Sequence, residues 1–244
     1  MSEIAYNIMT MLLGMVALLI SITLHEVAHG YAAYKMGDYT AKSSGRLSLN
    51  PFAHINPASL LLLAILMLIG SFSGASSGFV MSMLSVMVCF TFARPVPVGS
   101  GGLKNPLRDM AIIAVAGPVT NILVALISLI LFKYISYLLV YILPDTQFGM
   151  YVAFMTMYFF VYLTQLNIGL AVFNLLPIPP LDGSKILYYF LPRKMLIAFV
   201  KYEKYITMIL LFLLIFDVLD VPLDYIGGLV YRGLSFVVDL LPPR

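Results

Sequence analysis

The sequence predicts an all-α membrane protein, a polytopic bundle of about six membrane-embedded segments. Three observations carry that expectation. Of the 244 residues, 61% are hydrophobic and only 10% are charged, against about 45–50% apolar and about 25% charged in soluble domains. The apolar residues fall in runs: residues 4–33, 107–143, 150–176 and 205–219 each hold a stretch near or above the roughly 18 that read as a membrane span. Prolines and basic residues collect between those runs. We expect one domain over residues 1–244, with its core at 4–221.

The elements follow in order. The first segment, residues 4–34, has no basic N-terminal region and outruns the about 7–15 residues of a signal-peptide core, so it reads as a retained helix. A polar loop over 35–57 holds Lys42, Arg46, Asn50-Pro51 and Asn56-Pro57. Residues 58–93 form two apolar stretches split by a Gly- and Ser-rich run at 70–78. Each half gives roughly 20 Å of helix against a hydrocarbon core about 30 Å thick. This segment is therefore expected to be a hairpin of short helices or a re-entrant element. Pro95 and Pro97 favour extended backbone over residues 94–98, a stretch able to pair with an unwound strand or to serve as a plain linker.

The third segment, 107–143, carries Gly117-Pro118-x-x-Asn121, a kink with one buried amide that more often serves packing than chemistry. The fourth begins near residue 150 and runs into Asn174-Leu-Leu-Pro177-Ile-Pro179-Pro180-Leu-Asp182-Gly183. Those prolines must break the helix, which leaves Asp182 at a discontinuity. A basic stretch over 191–204 leads to a fifth segment, 205–219, and residues 224–240 read as a C-terminal amphipathic helix.

Charge placement sets the topology. Lys35, Lys42 and Arg46, then Arg94, Lys104 and Arg108, then Arg193, Lys194, Lys201 and Lys204 mark three basic loops. The remaining loops carry Glu3, Asp145, Asp217, Asp220 and Asp224 without Lys or Arg. By the positive-inside rule the basic loops are cytoplasmic and the N-terminus lies outside the inner membrane. That requires 58–93 to enter and leave on one side, as its split suggests. A formal charge of +3 gives no footprint for nucleic acid, and Cys89, the sole cysteine, rules out an internal disulfide or a multi-cysteine metal site.

His25-Glu26-Val27-Ala28-His29 is the sharpest chemical signal. Residues i and i+4 share one helix face, so two imidazoles can grip one metal, while Glu26 is placed to take a proton from water. With three His and three Glu in the chain, chance arrangement gives this pattern roughly 5 times in 10,000. Burying such residues in a membrane only as packing would be expensive. Zinc suits the donor set, one ion per chain, and needs a third protein ligand. Asp182, His54 and the acids of the outer loops are the candidates. Depth favours Asp182, whose other reading is an N-cap for a helix over 183–190. His54 is read as bonding its own loop or lining the entrance. Asn174 has two readings of equal weight, donor to a developing oxyanion or cap of the broken helix.

Taken together these motifs resemble the site-2 protease family of intramembrane zinc metalloproteases. The similarity is to its compact bacterial type, without a PDZ or nucleotide-binding appendage. His25-Glu26-x-x-His29-Gly30 is similar to its zinc helix, residues 45–57 to the loop that follows, and Ala116-Gly-Pro-Val-Thr-Asn121 and residues 174–183 to later motifs. The resemblance implies a single intramembrane metalloprotease domain with Asp182 as third zinc ligand, Glu26 as catalytic base and Asn174 as partner of the substrate carbonyl. It also implies cleavage of transmembrane helices in other proteins, commonly anti-sigma factors or membrane-tethered regulators, within the lipid bilayer. The readings kept beside it are a zinc or proton-coupled transporter and a catalytically inactive scaffold of the same fold.

Overall fold

The computed structural model describes residues 3–54, 61, 65, 97–143 and 146–242, which are mostly helical with no strand among them. They comprise α1 (Glu3–Met36), α2 (Thr40–Ser43), α3 (Pro106–Ile142), α4 (Gln147–Asn174), α5 (Asp182–Phe190), α6 (Arg193–Ile215) and α7 (Asp220–Asp239). α1, α3 and α4 are long and apolar enough to cross a membrane, and α6 with α7 makes a further such pair bent by 84°. The expected split at 58–93 and the extended run at 94–98 lie outside the described residues, save Leu61, Ile65, Pro97 and Val98.

The helix starts follow from local chemistry. α3 opens on Pro106, whose missing N–H is no loss at a first position, and the Asp109 carboxylate accepts from the Asn105 N–H at 2.9 Å. α4 opens on Thr146, whose hydroxyl accepts from the Gly149 N–H at 3.1 Å. α4 ends at Asn174, before Pro177, Pro179 and Pro180, and α5 begins at Asp182. In between, the Ile178 N–H donates to Leu176 O at 2.8 Å and the Leu181 N–H to Ile178 O at 3.0 Å, so the interrupted backbone satisfies itself with turns.

α1, α3 and α4 pack as a three-helix core. Ala17, Leu18 and Ile22 of α1 meet Leu163, Leu166 and Leu170 of α4, while Ala33 meets Ile113 of α3. Inside this apolar contact the Asn167 amide donates to Ser21 Oγ at 2.8 Å, joining α4 to α1 one turn before His25. Large side chains such as Leu123, Ile127 and Phe212 stay exposed, as lipid-facing surface requires.

Two expectations change here. The basic stretch 191–204, read as a loop, is helical from Arg193 onward. Lys, Arg and Glu are good helix formers, and charge reports exposure to water rather than backbone state. The acids at 217, 220 and 224, placed on the face far from His25, sit instead at the bend between α6 and α7. Leu214 and Leu223 on either side of that bend share a cluster with Phe173 and Leu181, neighbours of Asn174 and Asp182. From there α7 runs back along α4 to α3, where Lys133 Nζ donates to Val238 O at 2.9 Å and to Leu241 O at 2.7 Å. A lysine inside a long apolar helix is thus occupied as the cap of another helix's C-terminus.

Beyond α1 the chain turns on Asp38. Its carboxylate accepts from the Thr40 N–H at 2.9 Å and hydroxyl, and from the Gly99 N–H at 2.7 Å. Burial pushes this carboxyl up, but the Thr40 and Gly99 donors outweigh it and hold it below the usual range. A depressed folded pKa contributes stability above the unfolded value of about 3.9, and that stability is lost as pH falls through the folded pKa. Asp38→Asn should therefore lower Tm by about 5 °C at pH 7, with the gap to wild type closing below about pH 3 in thermal melts. An unchanged gap at low pH would show that shape, not charge, holds the turn.

Candidate metal centre

Three side chains from three places in the chain meet at one point. His25 and His29 stand one turn apart on α1, with ring centroids 4.5 Å apart, rings at 85°, and Nε2 atoms 3.0 Å apart. Asp182, at the start of α5, sets Oδ2 3.0 Å from His29 Nε2 and 3.2 Å from His25 Nε2. All three are buried, His25 at 1% exposure and Asp182 at 7%. The helix period joins the two histidines, and the start of α5 brings Asp182 to His29 across 153 residues of sequence.

The donor set fits a cation. The His29 Nδ1–H donates to Ile113 O of α3 at 2.7 Å, which aims its Nε2 at Asp182. Nε2 stands 3.0 Å from the carboxylate oxygen, a contact held by positive charge between them, either a proton on Nε2 or a metal ion. Donors about 2.0–2.2 Å from a tetrahedral zinc lie about 3.3–3.6 Å apart, a few tenths of an ångström wider than this triangle. Two imidazoles and one carboxylate with a position left over is a catalytic rather than a structural zinc donor set.

The remaining sequence candidates take distinct places. Glu26 is buried next to His25 on α1, at 6% exposure. Asn174 is buried at the end of α4, and its Nδ2 donates to Leu170 O at 2.9 Å, so one of its two N–H groups is spent within its own helix. His54 is buried but stays in its loop, with the Nε2–H donating to Ser48 O at 2.7 Å. Asp182 does not cap α5: Leu181 holds that position, and the Asp182 carboxylate is turned to the imidazoles, with Lys185 Nζ 3.6 Å from its Oδ1.

Two glycines were missed as site residues. A Cβ on Gly117 of α3 would lie 2.5 Å from both His25 Cε1 and His29 Nε2, and 2.7 Å from His25 Nε2. α3 therefore forms one wall of the metal site, with backbone where a side chain would collide. A Cβ on Gly183 would lie 2.3 Å from the carbonyl oxygens of both Leu175 and Leu176, so only glycine lets α5 start tight against the break. Both stood in quoted motifs, and the cue would have been that each neighbours a proline or a proposed ligand. Nothing in the spacing alone says which atoms approach.

Residues 13–216 match the family model described as Peptidase family M50. The chain is 35% identical over 179 residues to "Putative zinc metalloprotease YwhC" of Bacillus subtilis, covering 72% of this chain and 68% of that protein. It is 27% identical over 165 residues to "Putative zinc metalloprotease Rip2" of Mycolicibacterium smegmatis, covering 68% of this chain and 52% of that protein. No solved structure matches the chain.

Proposed function

The chain belongs to Peptidase family M50 and is a membrane metalloprotease that uses zinc, and from that premise we propose that it hydrolyses peptide bonds within or near transmembrane helices of membrane-tethered proteins. His25, His29 and Asp182 hold the ion and Glu26 is the general base. The observation that carries this reading is the convergence of three buried donor atoms inside an apolar bundle. A metal so placed serves a reaction whose substrate is itself in the bilayer.

Zinc bound there would polarise the scissile carbonyl and lower the pKa of a coordinated water towards about 7. The Glu26 carboxylate takes the proton of the attacking water and passes it to the leaving nitrogen. His29, fixed by its bond to Ile113 O, and His25, one turn away, are the imidazoles that would hold the ion. Asn174 keeps one N–H for the substrate carbonyl while the other holds Leu170 O. A substrate helix must unwind to present its carbonyl, so helix-breaking residues in the substrate promote cutting.

The basic clusters at 35–46, 94–108 and 193–204 support an orientation with the N-terminus outside the inner membrane and the metal site towards the cytoplasm. The full bundle then holds about six embedded segments in one domain. Substrates on this reading are anti-sigma factors or other membrane-tethered regulators.

The test is a map of new protein termini in membranes from cells making either wild type or Glu26→Gln. Wild type should create termini inside transmembrane spans, and Glu26→Gln should reduce them by about 10²–10⁴-fold while keeping its zinc. Equal cutting by both proteins, or none by wild type, sinks the proposal.

A further inference from the structure

Asn121 of α3 is fully buried, and among the described residues neither its Oδ1 nor its Nδ2 has a hydrogen-bond partner. Burying an amide in that state is costly, and native folds seldom keep one without a use. Its position suggests the use. Asn121 lies one turn beyond Gly117, only about 40° round the helix, so the two residues share a face. Helical side chains lean towards the helix N-terminus, which carries the Asn121 amide back towards Gly117. Gly117 is the residue whose missing Cβ would sit 2.5 Å from both imidazoles.

We infer that Asn121 is a substrate-binding residue that pairs with the backbone N–H and C=O of one extended residue of the unwound substrate beside the metal centre. Its Oδ1 accepts from that residue's N–H and its Nδ2 donates to that residue's C=O. A carboxamide offers one acceptor and one donor side by side, the complement of what an extended residue's backbone presents along one edge. An anion would leave Oδ1 unused, and a cation would leave Nδ2 unused. Burial does not count against the role, because Glu26 and Asp182 are nearly as buried and any opening that admits a peptide to them admits it to this wall. The inference rests on the reading above that a peptide enters the site.

Backbone recognition is independent of sequence, so the probe need not be a natural substrate. A fluorescent Lys-flanked Leu/Ala transmembrane peptide with a central Pro-Gly break is titrated against zinc-loaded Glu26→Gln protein. Adding Asn121→Ala should raise its Kd about tenfold, the loss of one or two hydrogen bonds, with zinc content and Tm unchanged. Asn121→Val, which refills the space, should do the same. The inference is overturned if Kd is unmoved in both variants, if the parent does not bind the peptide, or if both variants lose zinc. Asn121-dependent binding without Glu26-dependent cutting would instead remove the proposed reaction and leave this contact standing.

Discussion

Gly117→Ala is expected to leave the helices folded and to strip the metal, taking zinc from about one per chain towards zero and cleavage with it. The new methyl would lie 2.5 Å from His25 Cε1 and His29 Nε2, well inside van der Waals contact. Those atoms are the tips of side chains, so the imidazoles can swing aside and the backbone need not move. Swinging aside ends ligation, since Nε2 of both rings must stay near 3 Å from Asp182 Oδ2. Alanine in a helix interior gains about 1 kcal/mol over glycine, which offsets much of the about 1–3 kcal/mol of overpacking. Metal affinity should fall by about 100-fold or more while Tm of the metal-free protein shifts little. Elemental analysis beside a thermal melt reads both quantities. Full zinc with wild-type cutting would show that α3 is not the wall of this site.

That wall marks where the sequence stopped being legible. The pairing of His25 with His29 could be read because a helix period is local and the chemistry of the two side chains is specific. Asp182 could be read less directly, from a proline break and an estimate of depth. The structure brings it to the histidines, though it also moves the acids at 217, 220 and 224 off the far face assumed in that estimate. Gly117 and Gly183 act by having no side chain, and the atoms they accommodate lie on other elements or across a turn. Lys133 was given no role, because capping α7 depends on a contact 105 residues away. Helix existence followed from apolar runs, whereas helix extent did not: α6 begins inside a basic stretch that composition alone assigns to a loop. The transporter reading falls away because family membership supplies a peptidase, which no single motif could do alone.

Gly183→Ala should fail in the opposite way, through the fold rather than the ligands. Its Cβ would stand 2.3 Å from Leu175 O and Leu176 O and 2.6 Å from Leu175 C, all backbone. None can rotate away, because the turn is fastened: Leu175 N–H to Ala171 O at 3.1 Å, Leu176 N–H to Phe173 O at 3.1 Å, and Ile178 N–H to Leu176 O at 2.8 Å. Relief requires α5 to retreat from the end of α4, and Asp182 retreats with it. The gain of about 1 kcal/mol in helix propensity is small beside a backbone collision, and a loss of about 3–5 kcal/mol is expected, lowering Tm by about 10 °C. Gly228→Ala on α7 is the matched control, since a Cβ there meets nothing within 4 Å. It should leave Tm level or slightly raised. If Gly183→Ala melts with Gly228→Ala, the close seat of α5 on the break is wrong, and Asp182 must be held near the histidines by something else.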